Sequence, residues 1–160
     1  MNVIKMSDVV ESIDVKSLGE PVGYSKFTEV HTPVIIKSNG KYELRRTQVP
    51  IIVCLEYEYK STRIQLGISD SPSCMYLFGI EVSPNKRGFG IGTEIMNIIL
   101  DHCDANGLDL KLQPFPTEWS QDPLKYGLKK ILPKYYRLKS WYEDFGFEMT
   151  RNFDMIYKHQ

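Results

Sequence analysis

The sequence predicts an α/β fold with a mixed, mostly antiparallel central sheet that contains one parallel βαβ unit. Three observations predict it. Residues 30–82 alternate apolar and polar side chains between short turns, the texture of an antiparallel meander. From Ile91 the apolar spacing changes to three and four (Ile91, Ile95, Ile98, Ile99, then His102 or Cys103) and stops at Asn106-Gly107, which marks a helix with a glycine end. Leu108-Asp109-Leu110-Lys111-Leu112 then alternates again, so strand 74–82, helix 91–105 and strand 108–113 form a βαβ unit with a right-handed crossover.

Taken in order, residues 1–28 hold a weak helical pattern near Val9-Val10-Ile13 and a Gly19-Glu20-Pro21 break, and are expected to be a short helix or irregular. Strands over 32–37 and 42–47 flank Asn39-Gly40, the strongest short hairpin signal. One strand is expected over 49–59 and another over 62–68, with Lys60-Ser61 as the turn between them and 69–73 as a loop. Past 113, Pro114, Pro116 and Pro123 predict a linker. A short helix over 124–132 is expected to stop at Pro133, and a second helix to run over 135–144. Phe147-Glu148-Met149 and residues 153–157 read as a terminal β pair.

At 160 residues the chain is expected to make a single domain, 1–160, with enough apolar side chains to fill a core without staples. Twenty basic and twenty acidic residues cancel, which removes the global electrostatic case for nucleic acid or an anionic membrane surface. The longest strongly apolar run, 51–55, is far short of the ~20 residues that span a bilayer, and Met1-Asn2-Val3-Ile4-Lys5 has no signal-peptide character, so a cytoplasmic location is expected. Cys54, Cys74 and Cys103 are odd in number without a CxxC pair and read as buried thiols. His31, His102 and His159 form no constellation with them, and no metal site is expected.

The chemistry concentrates in residues 77–93, a strand, a glycine-rich turn and a helix start. Glycines at alternate positions let a ligand approach the backbone, and the unpaired N–H groups of the helix favour an anion such as phosphate. Spacing removes two phosphate-binding patterns. A dinucleotide fingerprint needs G-x-G-x-x-G, and the third glycine here comes one residue early; a Walker loop needs G-K-[ST], and Gly92-Thr93 has no lysine before the threonine.

What fits is Arg87-Gly88-Phe89-Gly90-Ile91-Gly92 preceded by Val82-Ser83-Pro84, and about 50 residues on Trp141-Tyr142-Glu143-Asp144-Phe145-Gly146-Phe147. With these two blocks in this order, residues 74–157 resemble the GNAT-type N-acetyltransferase superfamily. The resemblance implies an acyl-CoA N-acyltransferase-like fold with acetyl-CoA as cosubstrate and an amine, on a small molecule or a protein, as acceptor. It implies that the backbone of Arg87, Gly88, Phe89, Gly90, Ile91, Gly92 and Thr93 binds the pyrophosphate, reinforced by Lys86 or Arg87 and the Thr93 hydroxyl. Backbone groups around Ile80 and Val82 would pair with the pantetheine arm as an added strand, and an N–H near Val82 would polarise the acetyl carbonyl.

Tyr142 matches the position that donates a proton to the departing thiolate, which suits a phenol of ordinary pKa ~10. The general base stays open among Glu81, Glu118, Asp122 and a water chain, because strand alternation puts Glu81 on the face opposite Ile80 and Val82. Packing between helix and sheet is the competing reading for Tyr142. Two functions therefore stand at this level: acetyl transfer to a primary amine by direct attack, or a catalytically silent coenzyme-binding or regulatory module. Oligomeric state, a homodimer included, is open.

Overall fold

The structure is a computed structural model that describes residues 14–26, 29–50, 53–68, 74–115 and 127–160. A 3-10 turn (Lys16–Leu18) leads to β1 (Gly23–Lys26), the hairpin β2 (Glu29–Ser38) and β3 (Lys41–Pro50), and then β4 (Val53–Tyr59), β5 (Thr62–Ile68) and β6 (Cys74–Val82). A second 3-10 turn (Pro84–Lys86) precedes helix α1 (Ile91–Asn106), strand β7 (Asp109–Leu112), helix α2 (Gly127–Asp144) and strands β8 (Glu148–Met149) and β9 (Met155–Tyr157). The larger sheet has the order β1-β4-β5-β6-β7-β9-β8, parallel only between β6 and β7. The predicted mixed sheet and its βαβ unit are both present.

Alternation builds the centre. Val53, Leu55 and Tyr57 of β4 face Ile64, Leu66 and Ile68 of β5 inside the core, and Ile95, Met96, Ile99 and Cys103 of α1 cover them at helical spacing. The helix ends as its glycine predicts, with the Leu108 and Gly107 N–H groups donating to the Cys103 carbonyl.

Three expectations are corrected. The single strand over 49–59 is divided: Val49 pairs with Val30 inside the hairpin, and β4 starts at Val53, with residues 51 and 52 outside the described set. The hairpin also leaves the meander to form its own two-stranded sheet, so β4 pairs with β1, a strand the weak pattern before residue 28 concealed. Pro133 does not interrupt a helix but lies inside α2. Its missing N–H would have bonded the carbonyl of Lys129, an exposed residue that water can serve, and burial of Ile131, Tyr135 and Tyr142 at spacings of four and seven keeps both halves on one axis. The loop over 69–73, residues 124–126 and the 9–13 pattern fall outside the described residues.

A second, smaller core joins Ile35 of the hairpin and Phe115 to Ile131 and Tyr135 of α2. The Tyr136 hydroxyl donates to that of Tyr42 across the same contact, so Tyr135 and Tyr136 dock the hairpin.

The entry to the sheet depends on one buried polar knot. Tyr57 is fully buried; its hydroxyl donates to Asp14 Oδ1 at 2.8 Å and accepts from the Val15 N–H at 3.0 Å. Tyr57→Phe leaves the Val15 N–H and Asp14 Oδ1 unpaired among the described residues, with Asp14 keeping its Oδ2 bond to Lys16, and is expected to destabilise the protein by ~1–3 kcal/mol with an unchanged m-value, read from urea unfolding. A loss below ~0.5 kcal/mol would mean that water takes over both bonds.

Candidate active site

The site begins where two strands part. β6 and β7 run side by side from Cys74↔Asp109 to Leu77↔Leu112 and no further. On β7 the cause is Pro114, which has no N–H to continue a ladder; the Phe115 N–H instead donates to the Gln113 carbonyl at 2.8 Å, a turn that takes the chain away. On β6 it is a bulge. Leu77 pairs with Leu66 and Gly79 with Gln65, which leaves Phe78 as an extra residue. Core-facing positions accordingly change phase, from Met75 and Leu77 before the bulge to Ile80 after it. Residues 78–82 thus extend with one edge that no described strand covers.

That edge leads into the glycine loop. After the Pro84–Lys86 turn, closed by the Lys86 N–H on the Ser83 carbonyl at 2.8 Å, Gly88 and Gly90 take φ of +86° and +77°. Among the described residues neither would bring a Cβ within 4 Å of another atom, so glycine is required there by backbone conformation. Gly90 caps α1 with no side-chain hydrogen bond, and the first amides of the helix are left for a ligand. Lys86, Arg87 and Thr93 are exposed around it, Phe89 is 76% exposed, and Ile91 packs on the core.

Arg87 turns back to donate from Nε to the Val82 carbonyl at 3.2 Å, so the carbonyl of one expected pantetheine-binding residue already has a partner. Motif reading missed a further pair here. Glu94, in the first turn of α1, accepts from Lys60 Nζ at 2.8 Å and from the Tyr59 hydroxyl at 2.9 Å, bonds that hold its carboxyl below the usual range. Only the β4–β5 turn, 34 residues away in sequence, brings them together.

The second motif meets the first through Trp141, whose indole lies 3.7 Å from where a Cβ on Gly92 would be. Tyr142 beside it is 9% exposed and packs between Trp141 and Phe147, with ring centroids 5.1 and 5.6 Å away. Among the described residues its hydroxyl has no hydrogen-bond partner, and burial pushes its pKa up to about 12. Glu81 is exposed, opposite Arg63 on β5, on the face away from Ile80 as alternation predicts. Glu118 and Asp122 are outside the described residues.

Sequence reading also missed a cavity of about 430 Å³ between the hairpin and the sheet, walled by Thr32, Arg46, Phe78, Leu112, Gln113 and Asp154. No periodicity marks it, since its wall comes from six separate stretches of chain.

A model of the acetyltransferase (GNAT) family matches residues 11–117. The chain belongs to that family. The matched stretch begins well before residue 74 and includes the whole glycine loop, but it ends before the Trp141–Phe147 block, so the family match lies further toward the N-terminus than the expected 74–157. No curated protein matches the sequence. Among solved structures the GNAT domain is similar to Ard1 from Thermoplasma volcanium, at 13% identity and TM-score 0.41 over 67% of this chain and 70% of that one. It is also similar to a Bacillus anthracis protein in complex with acetyl coenzyme A, at 11% identity and TM-score 0.37 over 96% and 93%. A third is Arabidopsis thaliana Naa50 in complex with a bisubstrate analogue, at 15% identity and TM-score 0.34 over 97% and 93%.

Acetyl-CoA is the cosubstrate that goes with a GNAT domain. The residues present fit it: an open strand edge for an amide-bearing arm, and an uncapped helix start for a pyrophosphate. Gly90→Ala places an L-residue at φ +77° and is expected to lower stability by ~1–2 kcal/mol, whereas Gly90→Asn, tolerant of that conformation, recovers most of the loss in thermal or urea unfolding. Equal losses would show that the loop relaxes out of the left-handed region.

Proposed function

We propose that this GNAT domain transfers the acetyl group of acetyl-CoA to a primary amine by direct attack in a ternary complex. The observation that carries the reading is the continuity of the free β6 edge with the uncapped start of α1, braced by Trp141 on Gly92. The backbone N–H groups of residues 87–93 hold the pyrophosphate. Those of Ile80 and Val82 align the pantetheine arm, and one near Val82 polarises the thioester carbonyl where negative charge develops.

The amine nitrogen bonds to the carbonyl carbon, the carbon–sulfur bond breaks, and Tyr142 gives its proton to the leaving thiolate. Protonation is the state that burial of Tyr142 favours. The proton lost by the amine passes to water, and Glu81, exposed on the far face of β6, acts as base only through such water. The thiols support direct attack over an acetyl-enzyme. Burial raises Cys74 to about 11 and Cys103 to about 12, and raises Cys54, so these cysteines stay protonated and poorly nucleophilic at neutral pH.

The position of Tyr142 inside the core favours a second reading, in which the domain binds coenzyme without turnover. Calorimetry with acetyl-CoA is expected to show binding that Gly90→Glu abolishes, and release of free thiol with an amine separates the enzyme from the silent module. Tyr142→Phe is expected to lower kcat by ~10²-fold with coenzyme affinity unchanged. Because the neutral phenol is the donor and its pKa lies near 12, the wild type is expected to show no alkaline loss of kcat from Tyr142 up to about pH 10. An unchanged kcat in Tyr142→Phe assigns the ring to packing alone.

A further inference from the structure

We propose that the cavity between the β2–β3 hairpin and the sheet is the acceptor site, and that it selects small amines carrying a second, anionic group, a carboxylate or a phosphate. The proposal rests on the acetyltransferase reading only in calling its ligand an acceptor. About 430 Å³ is the volume of a small-molecule site rather than of a groove for a long chain. Its wall includes Phe78, the bulge residue at which β6 leaves β7, so the cavity opens onto the strand edge where the thioester is expected.

Two oxygens in this wall, Thr32 Oγ1 and Gln113 Oε1, are buried without a hydrogen-bond partner among the described residues. Such atoms are rare in native interiors and each costs ~1–3 kcal/mol when left unmet, so they point to a ligand that supplies donors. The Gln113 carboxamide oxygen can only accept, which suits the N–H of an amine.

Charge decides what else that amine carries. The cavity continues into a hollow of about 460 Å³ with which it shares Arg46, Gln113 and Asp154, and which Lys111 and Arg151 also line. Among the described residues Arg46, Lys111 and Arg151, with Arg45 on the rim, thus face one carboxylate, Asp154. Among the described residues neither Arg46 nor Arg151 has an ion-pair partner, while Arg45 on the same rim is occupied by Glu43 at 2.9 Å. Asp154 accepts from the Thr150 hydroxyl and faces the same space, one carboxylate toward an incoming ammonium. A polyamine would meet net repulsion here, whereas a carboxylate or phosphate would find guanidinium forks that can bind it in bidentate fashion.

Calorimetry on the full chain with coenzyme A bound tests this, using β-alanine against propylamine for a carboxylate and O-phosphoethanolamine against ethanolamine for a phosphate. At least one anion-bearing amine is expected to bind tenfold or more tighter than its neutral counterpart, and the two arms separate the anions. Combined Arg46→Glu and Arg151→Glu should abolish that preference while the affinity for acetyl-CoA, whose loop is elsewhere, stays as in the wild type. Equal or undetectable binding of all four amines overturns the proposal, as does a preference that survives both charge reversals. Failure of the acetyltransferase reading looks different: the anionic amine binds, acetyl-CoA binds, and no thiol is released.

Discussion

The separation of β6 from β7 is the constraint on which the rest of the site depends. A parallel pair held over only four residues is stopped on one side by a proline that cannot donate and on the other by a bulge at Phe78. Had the ladder continued, Phe78 to Val82 would have had its hydrogen bonds satisfied within the sheet, and no backbone would remain for a ligand to pair with. The bulge also resets which side chains face the core, so the same residue opens the edge and keeps Ile80 packed beneath it. The glycine loop then follows directly, placing the uncapped start of α1 at the end of the edge.

Helix α2 ties the two ends of the site together. Its first half holds the hairpin through Ile131, Tyr135 and the Tyr136–Tyr42 contact, and its last turns set Trp141 against Gly92. The wall of the hairpin cavity and the floor of the glycine loop therefore lean on one helix. A proline in its interior is tolerated because both halves are anchored by burial of one face, where an isolated helix would have kinked or ended.

Electrostatics around the loop follow from the same packing. A carboxylate in the first turn of α1 interacts favourably with the helix dipole but would repel a pyrophosphate at the same helix end; Lys60 and Tyr59 engage Glu94 and neutralise it locally. Tyr142 is shaped by the opposite effect, burial among aromatic rings, which keeps its proton on.

By itself the sequence determined the mixed sheet, the βαβ unit, the Asn39-Gly40 and Lys60-Ser61 turns and the glycine loop, because each is written in a local period or in a residue with a special backbone conformation. The glycine-loop motif, which lies inside the family match, was legible for the same reason: it is short, contiguous and chemically constrained. Only the tertiary structure decided that residues 49–59 break between two sheets, that Pro133 stays helical, that Glu94 is held by Lys60, and that Thr32, Arg46, Gln113 and Asp154 share one cavity. Those features depend on contacts between stretches tens of residues apart, and the energy that selects them, burial shared across elements, leaves no periodic trace in any one of them.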